Sequence, residues 1–177
     1  HIGASTINIA SALHKIQHRD KTKSILKTLD IKDVNSISEK PWLQFGTEKS
    51  PIEMIRGLKC ETFVEFIIDT SFNYFETNDE KFDFIFLDGD HSGKTVYKEI
   101  PLALEKLNKN GVILLHDYFP NGKPLWSNKS IIAGPYLATD RHIADGADIS
   151  IIPLGDLLWS TKLNSNRTSL ALLLKKN

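Results

Sequence analysis

The stretch from Lys81 to Tyr118, KFDFIFLDGDHSGKTVYKEIPLALEKLNKNGVILLHDY, constrains the fold of this chain more than any other. Two short hydrophobic runs, residues 82–87 and 112–115, lead into the carboxylates Asp88 and Asp117. Between them Val96, Ile100, Leu104 and Leu107 recur at helical spacing, which predicts a helix over residues 94–107 with one apolar face. The unit therefore reads strand–helix–strand, with acidic side chains at the carboxyl ends of both strands. In an open parallel sheet those ends are where ligands bind. Asp88, Asp90, His91, His116 and Asp117 are expected to meet there. Pro101 falls inside the helical pattern and predicts a kink or a break. Residues 108–111 predict a helix exit turn with Gly111 in a left-handed conformation.

The same alternation continues on both sides. Residues 4–17 predict a helix opening with Ser5 and Thr6. Residues 24–29 predict a strand closing on Asp30, and residues 62–68 a buried strand closing on Asp69. A polar link over residues 19–23 separates the first helix from the first of these strands. Residues 31–51 are irregular, with Trp42 and Phe45 as expected anchors, and short helices are expected at 51–58 and 72–76. Beyond Tyr118 a loop rich in Pro, Gly, Asn and aromatics runs to Pro135, and residues 133–144 carry a partly helical pattern. Residues 149–152 and 169–174 predict strands that pair antiparallel. Short links between alternating strands and helices argue for one doubly wound, mostly parallel α/β sheet with helices on both faces and an antiparallel C-terminal edge strand.

Composition narrows the function classes. The 177 residues suit one domain of ordinary size. Lys and Arg number 22 and Asp and Glu 22, and no basic run tracks a phosphate backbone, so a dedicated nucleic-acid binder is disfavoured. No apolar run approaches a membrane span. The one cysteine, Cys60, excludes an intrachain disulfide and a cysteine-based metal cluster, and suits a reducing cytoplasm. A homo-oligomer stays open. The chain starts at His1 in what reads as the approach to a helix, so an upstream strand is expected to precede it.

Each candidate residue carries a bland reading beside a functional one. Gly3 ahead of Ser5 and Thr6 suits a helix start whose free N–H groups favour an anion, and equally a simple cap. Asp30 can accept the two hydroxyl hydrogens of a ribose, or cap a turn. Asp69, Thr70 and Ser71 can meet an adenine amino group, or form a capping turn. Asp88 and Asp117, on strands expected to be neighbours, could hold a hard cation such as Mg2+. His91 could take a proton from a hydroxyl. His116 reads as a ligand or as a packing residue. Tyr118, Phe119, Trp126 and Tyr136 could form a substrate lid or anchor the loop.

The segments FDFIFLDGDHS (82–92), LALEKLNKNG (102–111) and VILLHDY (112–118) resemble the class I S-adenosylmethionine-dependent methyltransferases, in particular small-molecule O-methyltransferases of the catechol and macrolide-sugar types. HIGAST resembles the tail of their glycine-rich first motif, with the earlier half and its strand lying upstream of His1. The resemblance implies a single Rossmann-like methyltransferase domain over residues 1–177 and methyl transfer to a hydroxyl of a small molecule. It implies S-adenosylmethionine contacts at Gly3, Ser5, Thr6, Asp30, Asp69, Thr70, Ser71, Asp88 and His91. His91, with Asp88, takes the catalytic place, and Asp88, Asp117 and His116 take the places of ligands to Mg2+ or another divalent cation. Tyr118 stands where catechol-type enzymes place a ligating Asn. A nicotinamide-dependent oxidoreductase and a non-catalytic methyltransferase-like domain are the alternatives.

Overall fold

The computed structural model describes residues 3–20, 24–160 and 165–176. His1 and Ile2 of the glycine motif, and residues 21–23 of the polar link, lie outside them. The chain forms two compact units, His1–Ser71 and Phe72–Asn177. Among the described residues no helix is long and apolar enough to cross a membrane.

The first unit carries helix α1 (Ala4–Asp20), strand β1 (Leu26–Asp30), helix α2 (Pro51–Gly57) and strand β2 (Val64–Ile68). β1 and β2 pair in parallel, with Leu26 opposite Val64 and Asp30 opposite Ile68. Ala10, Ile55 and Cys60 are almost fully buried, and Ile7, Phe63, Val64 and Phe66 pack on them. α2 begins with reciprocal capping. The Glu53 amide donates to the Ser50 hydroxyl, the Ser50 amide donates to the Glu53 carboxylate, and Pro51 occupies the first turn, where its missing N–H costs nothing. Trp42 anchors the irregular segment as expected, whereas Phe45 stays 43% exposed.

Helix α3 (Ser71–Thr77) leads into the second unit. There strand β3 (Phe82–Leu87), helix α4 (Gly93–Glu105) and strand β4 (Leu107–Leu115) are followed by helix α5 (Gly134–Ala144) and strands β5 (Ile149–Pro153) and β6 (Ala171–Lys175). The sheet order is β3-β4-β6-β5. β3 and β4 pair in parallel, and β6 is antiparallel to both β4 and β5. The C-terminal strand enters antiparallel, as expected, but it lies between β4 and β5, and β5 forms the edge. Ile85, Ile113, Leu115, Ala171 and Leu173 of the sheet and Val96, Ile100 and Ala103 of α4 are buried.

Two local expectations change. Residues 108–111 are not a helix exit turn: α4 closes at Lys106, and β4 already runs from Leu107, with a register shift against Phe82 and Phe84. Within this irregular strand start Asn110 takes the left-handed φ, 66°. Gly111 is needed for space instead, because a Cβ there would sit 3.0 Å from the Phe82 carbonyl and 3.1 Å from that of Asn108. Nor does Pro101 break α4. A proline removes the N–H that the carbonyl four residues earlier would accept, here that of Tyr97. His142 of α5 supplies the replacement: its Nε2 lies 2.7 Å from the Tyr97 carbonyl, and its ring stacks on the Tyr97 ring at 4.2 Å and 8°.

Candidate active site

In the first unit, parallel pairing brings the carboxyl ends of β1 and β2 side by side. The Asp69 amide donates to the Asp30 carbonyl at 3.0 Å. The Asp30 carboxylate is exposed and accepts the Lys32 amide, while that of Asp69 accepts the Thr70 amide at 2.7 Å. These are the turn contacts of the bland reading. Gly3 has a φ of 73°, and a Cβ on it would fall 2.7 Å from Pro51, so only glycine fits at the entry to α1. Ser5 is exposed. Thr6 is buried and turns to β1, with its hydroxyl 3.2 Å from that of Thr28. This contact seats the first turn of α1 against the carboxyl half of β1. Thr70 is exposed and Ser71 begins α3.

In the second unit the ends of β3 and β4 gather four of the expected groups. The His116 amide donates to the Leu87 carbonyl, carrying the parallel ladder past both strands. Asp88 and His116 therefore sit side by side, with Asp88 Oδ1 2.8 Å from His116 Nδ1. Asp117 takes a left-handed φ of 50°, a conformation a short polar side chain tolerates. Its Oδ2 lies 3.0 Å from His91 Nδ1 and its Oδ1 accepts the Ser169 hydroxyl at 3.0 Å. A carboxylate only accepts, so the His91 tautomer that this contact suits is the one with its proton on Nδ1 and its lone pair on Nε2. That Nε2 is buried without a hydrogen-bond partner, 3.6 Å from Asp88 Oδ1. The two imidazole rings lie 5.3 Å apart. Burial pushes the Asp88 carboxyl up, but His116 and then His91 beside it outweigh burial and hold it below the usual range.

Among the described residues, Asp88, His91 and His116 each offer one donor atom within 4.8 Å of the others. Asp117, expected as a ligand beside Asp88, turns its carboxylate to His91 and Ser169. Asp90 faces its own loop and the start of α4, accepting the Thr95 hydroxyl at 2.6 Å and both the amide and hydroxyl of Ser92. The aromatic residues behave as loop anchors. Tyr118 and Phe119 are buried and stack edge-on with Tyr136 and Trp126. The Tyr118 amide donates to the Ser169 carbonyl, and burial pushes the Tyr118 phenol up.

Two positions of this site escape sequence reading. Ser169, just before β6, holds Asp117, and nothing in its neighbourhood signals that contact. Gly134, the first residue of α5, lies against the backbone of the His91 loop: a Cβ there would stand 1.9 Å from the His91 carbonyl oxygen and 2.7 Å from the Gly93 nitrogen. A Gly-Pro pair opening a helix is the one available signal, and it reads as an ordinary helix start.

A family model described as a methyltransferase domain matches residues 1–118, which spans β1 to β4 and the groups gathered at their ends. No curated protein matches by sequence. Among solved structures the chain is similar to the O-methyltransferase TomG from Streptomyces achromogenes, involved in tomaymycin synthesis and solved with SAM. There the identity is 14% and the TM-score 0.51, covering 96% of this chain and 80% of that one. It is also similar to the O-methyltransferase from Bacillus cereus solved with SAH, at 17% identity and TM-score 0.53, covering 99% and 83%. At such identities the likeness is one of fold. The fold and the family match agree, and they favour methyl transfer over the nicotinamide alternative: the chain belongs to the methyltransferase-domain family.

Proposed function

We propose that the protein transfers a methyl group from S-adenosylmethionine to a hydroxyl of a small molecule, with His91 as general base. The observation that carries this reading is the His91–Asp117 pair. A carboxylate on Nδ1 fixes the tautomer and orientation of the ring, stabilises the imidazolium that proton uptake creates, and aims the lone pair through Nε2. S-adenosylmethionine follows from the family and from the cofactors of the two similar O-methyltransferases.

A sulfonium methyl is already activated, so the protein has to align the acceptor oxygen, the methyl carbon and the sulfur, and remove one proton. The oxygen lone pair forms the new C–O bond while the C–S bond breaks and its electron pair returns to sulfur. His91 Nε2 takes the hydroxyl proton, and Asp117 steadies the resulting cation. Asp88, whose carboxyl is held below its usual range, would orient the acceptor hydroxyl. Asp30 and Asp69, with their neighbours Thr70 and Ser71, suit the ribose and adenine of the cofactor. Gly3, Ser5 and Thr6 suit its carboxylate.

The donor set at the site also fits a divalent cation: the buried Nε2 of His91 lacks a hydrogen-bond partner, and a carboxylate and a second imidazole stand close by. Asp88 and His116 would hold the cation, which would lower the pKa of an acceptor hydroxyl.

The test is calorimetric titration of the protein and its His91→Ala variant with S-adenosylhomocysteine and with NAD+, followed by turnover of S-adenosylmethionine with a panel of hydroxyl compounds. The expected result is binding of S-adenosylhomocysteine but not NAD+ by both proteins, with turnover in the parent alone. Binding of NAD+ in place of S-adenosylhomocysteine refutes the cofactor assignment, and undiminished turnover in His91→Ala removes His91 from the mechanism.

A further inference from the structure

We infer that Asp88, His91 and His116 form a three-donor site that prefers a borderline transition ion of the Zn2+ or Co2+ kind over Mg2+. The inference rests on the methyl-transfer reading only for its purpose; the binding chemistry stands on the side chains themselves. Two imidazole nitrogens and one carboxylate oxygen are the donors of zinc, cobalt, nickel and iron centres, whereas Mg2+ demands oxygen ligands and retains its water.

The spacing suits a single ion. Bonds of about 2.1 Å place neighbouring ligand atoms roughly 3.0–3.4 Å apart in octahedral or tetrahedral geometry. Asp88 Oδ1 lies 2.8 Å from His116 Nδ1 and 3.6 Å from His91 Nε2, a few tenths of an ångström on either side of that range, and all three donors lie within 4.8 Å of one another, so a bound ion would draw the donors into register. The side chains of Asp88, His91 and His116 are 40%, 19% and 27% exposed, while the donor nitrogens of the two histidines are themselves buried.

The surroundings of His91 strengthen the case. A ligating histidine almost always donates its second ring N–H to a carboxylate or carbonyl that fixes its tautomer. His91 has this arrangement, through Asp117 and behind it Ser169, both buried. Asp117 is thereby a positioning residue for the cation rather than a ligand. One lone pair cannot both hold a cation and take a proton: His91 is the base in the cation-free protein, and with an ion bound the ion would itself lower the acceptor's pKa, so the deciding readout is binding and not turnover.

The experiment titrates the full chain, stripped by chelator and dialysed, with Zn2+, Co2+ and Mg2+ in separate calorimetric runs. Bound Co2+ is also read by its visible absorption, and S-adenosylhomocysteine binding is measured on the same preparation. The expected result is one site that holds Zn2+ and Co2+ more tightly than Mg2+ by on the order of 100-fold or more. The Co2+ spectrum should be that of a four- or five-coordinate ion with nitrogen ligands. His116→Ala and His91→Ala should each abolish the spectrum, and Asp117→Asn should weaken binding about 10- to 100-fold. Equal affinity for Mg2+ and Zn2+, absence of a Co2+ spectrum in the parent protein, or an unchanged spectrum in both histidine variants would each overturn the inference. The parent measurements need no variant to fold. Failure here with S-adenosylhomocysteine still bound leaves the methyl-transfer reading standing, and selective Zn2+ binding without S-adenosylhomocysteine does the reverse.

Discussion

Gly134→Ala perturbs the candidate site without touching any group that bonds to His91. A Cβ at residue 134 would lie 1.9 Å from the His91 carbonyl oxygen, 2.7 Å from the Gly93 nitrogen and 2.9 Å from the Ser92 carbonyl carbon. All three are backbone atoms on one short segment, so no side chain can swing aside. Real Cβ contacts essentially never fall under 3.0 Å, so a gap of about 1.1 Å must open between the start of α5 and the His91 loop. The loop carries the His91 ring with it, and the 3.0 Å contact with Asp117 does not survive a displacement of that size. Overpacking of this kind costs about 1–3 kcal/mol of stability, and misplacing a reacting group by roughly 1 Å costs about 100-fold in rate.

The stability loss is read by urea denaturation and the geometric loss by imidazole nitrogen–proton NMR, in which the His91 Nδ1–H donated to Asp117 gives a distinct signal. Gly93→Ala is the control. Its Cβ would meet the Gly134 Cα at 3.7 Å, an ordinary contact, so it should unfold within about 0.5 kcal/mol of the parent and keep the His91 signal. If Gly134→Ala matches the parent in both measurements, the close approach of α5 to the His91 loop is wrong, and with it the claim that α5 positions the base.

Three further outcomes are expected. His142→Ala removes the group that satisfies the Tyr97 carbonyl behind Pro101 and should destabilise the protein by about 1–3 kcal/mol; the double variant His142→Ala/Pro101→Ala, which restores the helical N–H, should recover part of that loss in the same denaturation experiment. The Ser50 amide and then its hydroxyl hold the Glu53 carboxyl below its ordinary range. This stabilisation is present above the unfolded-state value and is lost as pH falls through the lowered one, so Glu53→Gln, which removes the titrating group, should flatten the acid limb of the Tm-against-pH curve recorded by circular dichroism. Burial pushes the Cys60 thiol up, so Ellman's reagent at pH 7 should find no reactive thiol in the native protein and one after denaturation.

Much of this architecture was legible because it is written in local pattern. Residues 82–87 carry a run of apolar and aromatic residues that suits a strand, and the structure places β3 over the same six residues. The i, i+4 spacing of Val96 and Ile100 set the buried face of α4. The gathering of Asp88, His91, His116 and Asp117 followed from one rule, that parallel neighbours present their carboxyl ends together. Residues 108–111 misled for a related reason. Asn-Lys-Asn-Gly is turn chemistry wherever it occurs, and local pattern does not register that the Phe82 and Asn108 carbonyls crowd position 111.

What stayed hidden is tertiary compensation, and it concentrates around the site. Pro101 should disrupt α4, yet a histidine 41 residues later in sequence completes the missing hydrogen bond. Asp117 ends a strand, as the pattern indicates, and what local pattern does not register is that Ser169, arriving just ahead of the antiparallel strand, as well as His91 and His116, approach its oxygens. Gly134 looked like a helix start and is a spacer against the His91 carbonyl. His142, Ser169 and Gly134 all come from the stretch beyond Tyr118, past the end of the methyltransferase-domain match at residue 118. The matched part contributes Asp88, His91, His116 and Asp117, and the later stretch packs against them through Gly134 and Ser169. The placement of His91 therefore depends on the start of α5 and on the turn at Ser169 just before β6, so substitutions there should move the geometry of His91 more than their distance in sequence suggests.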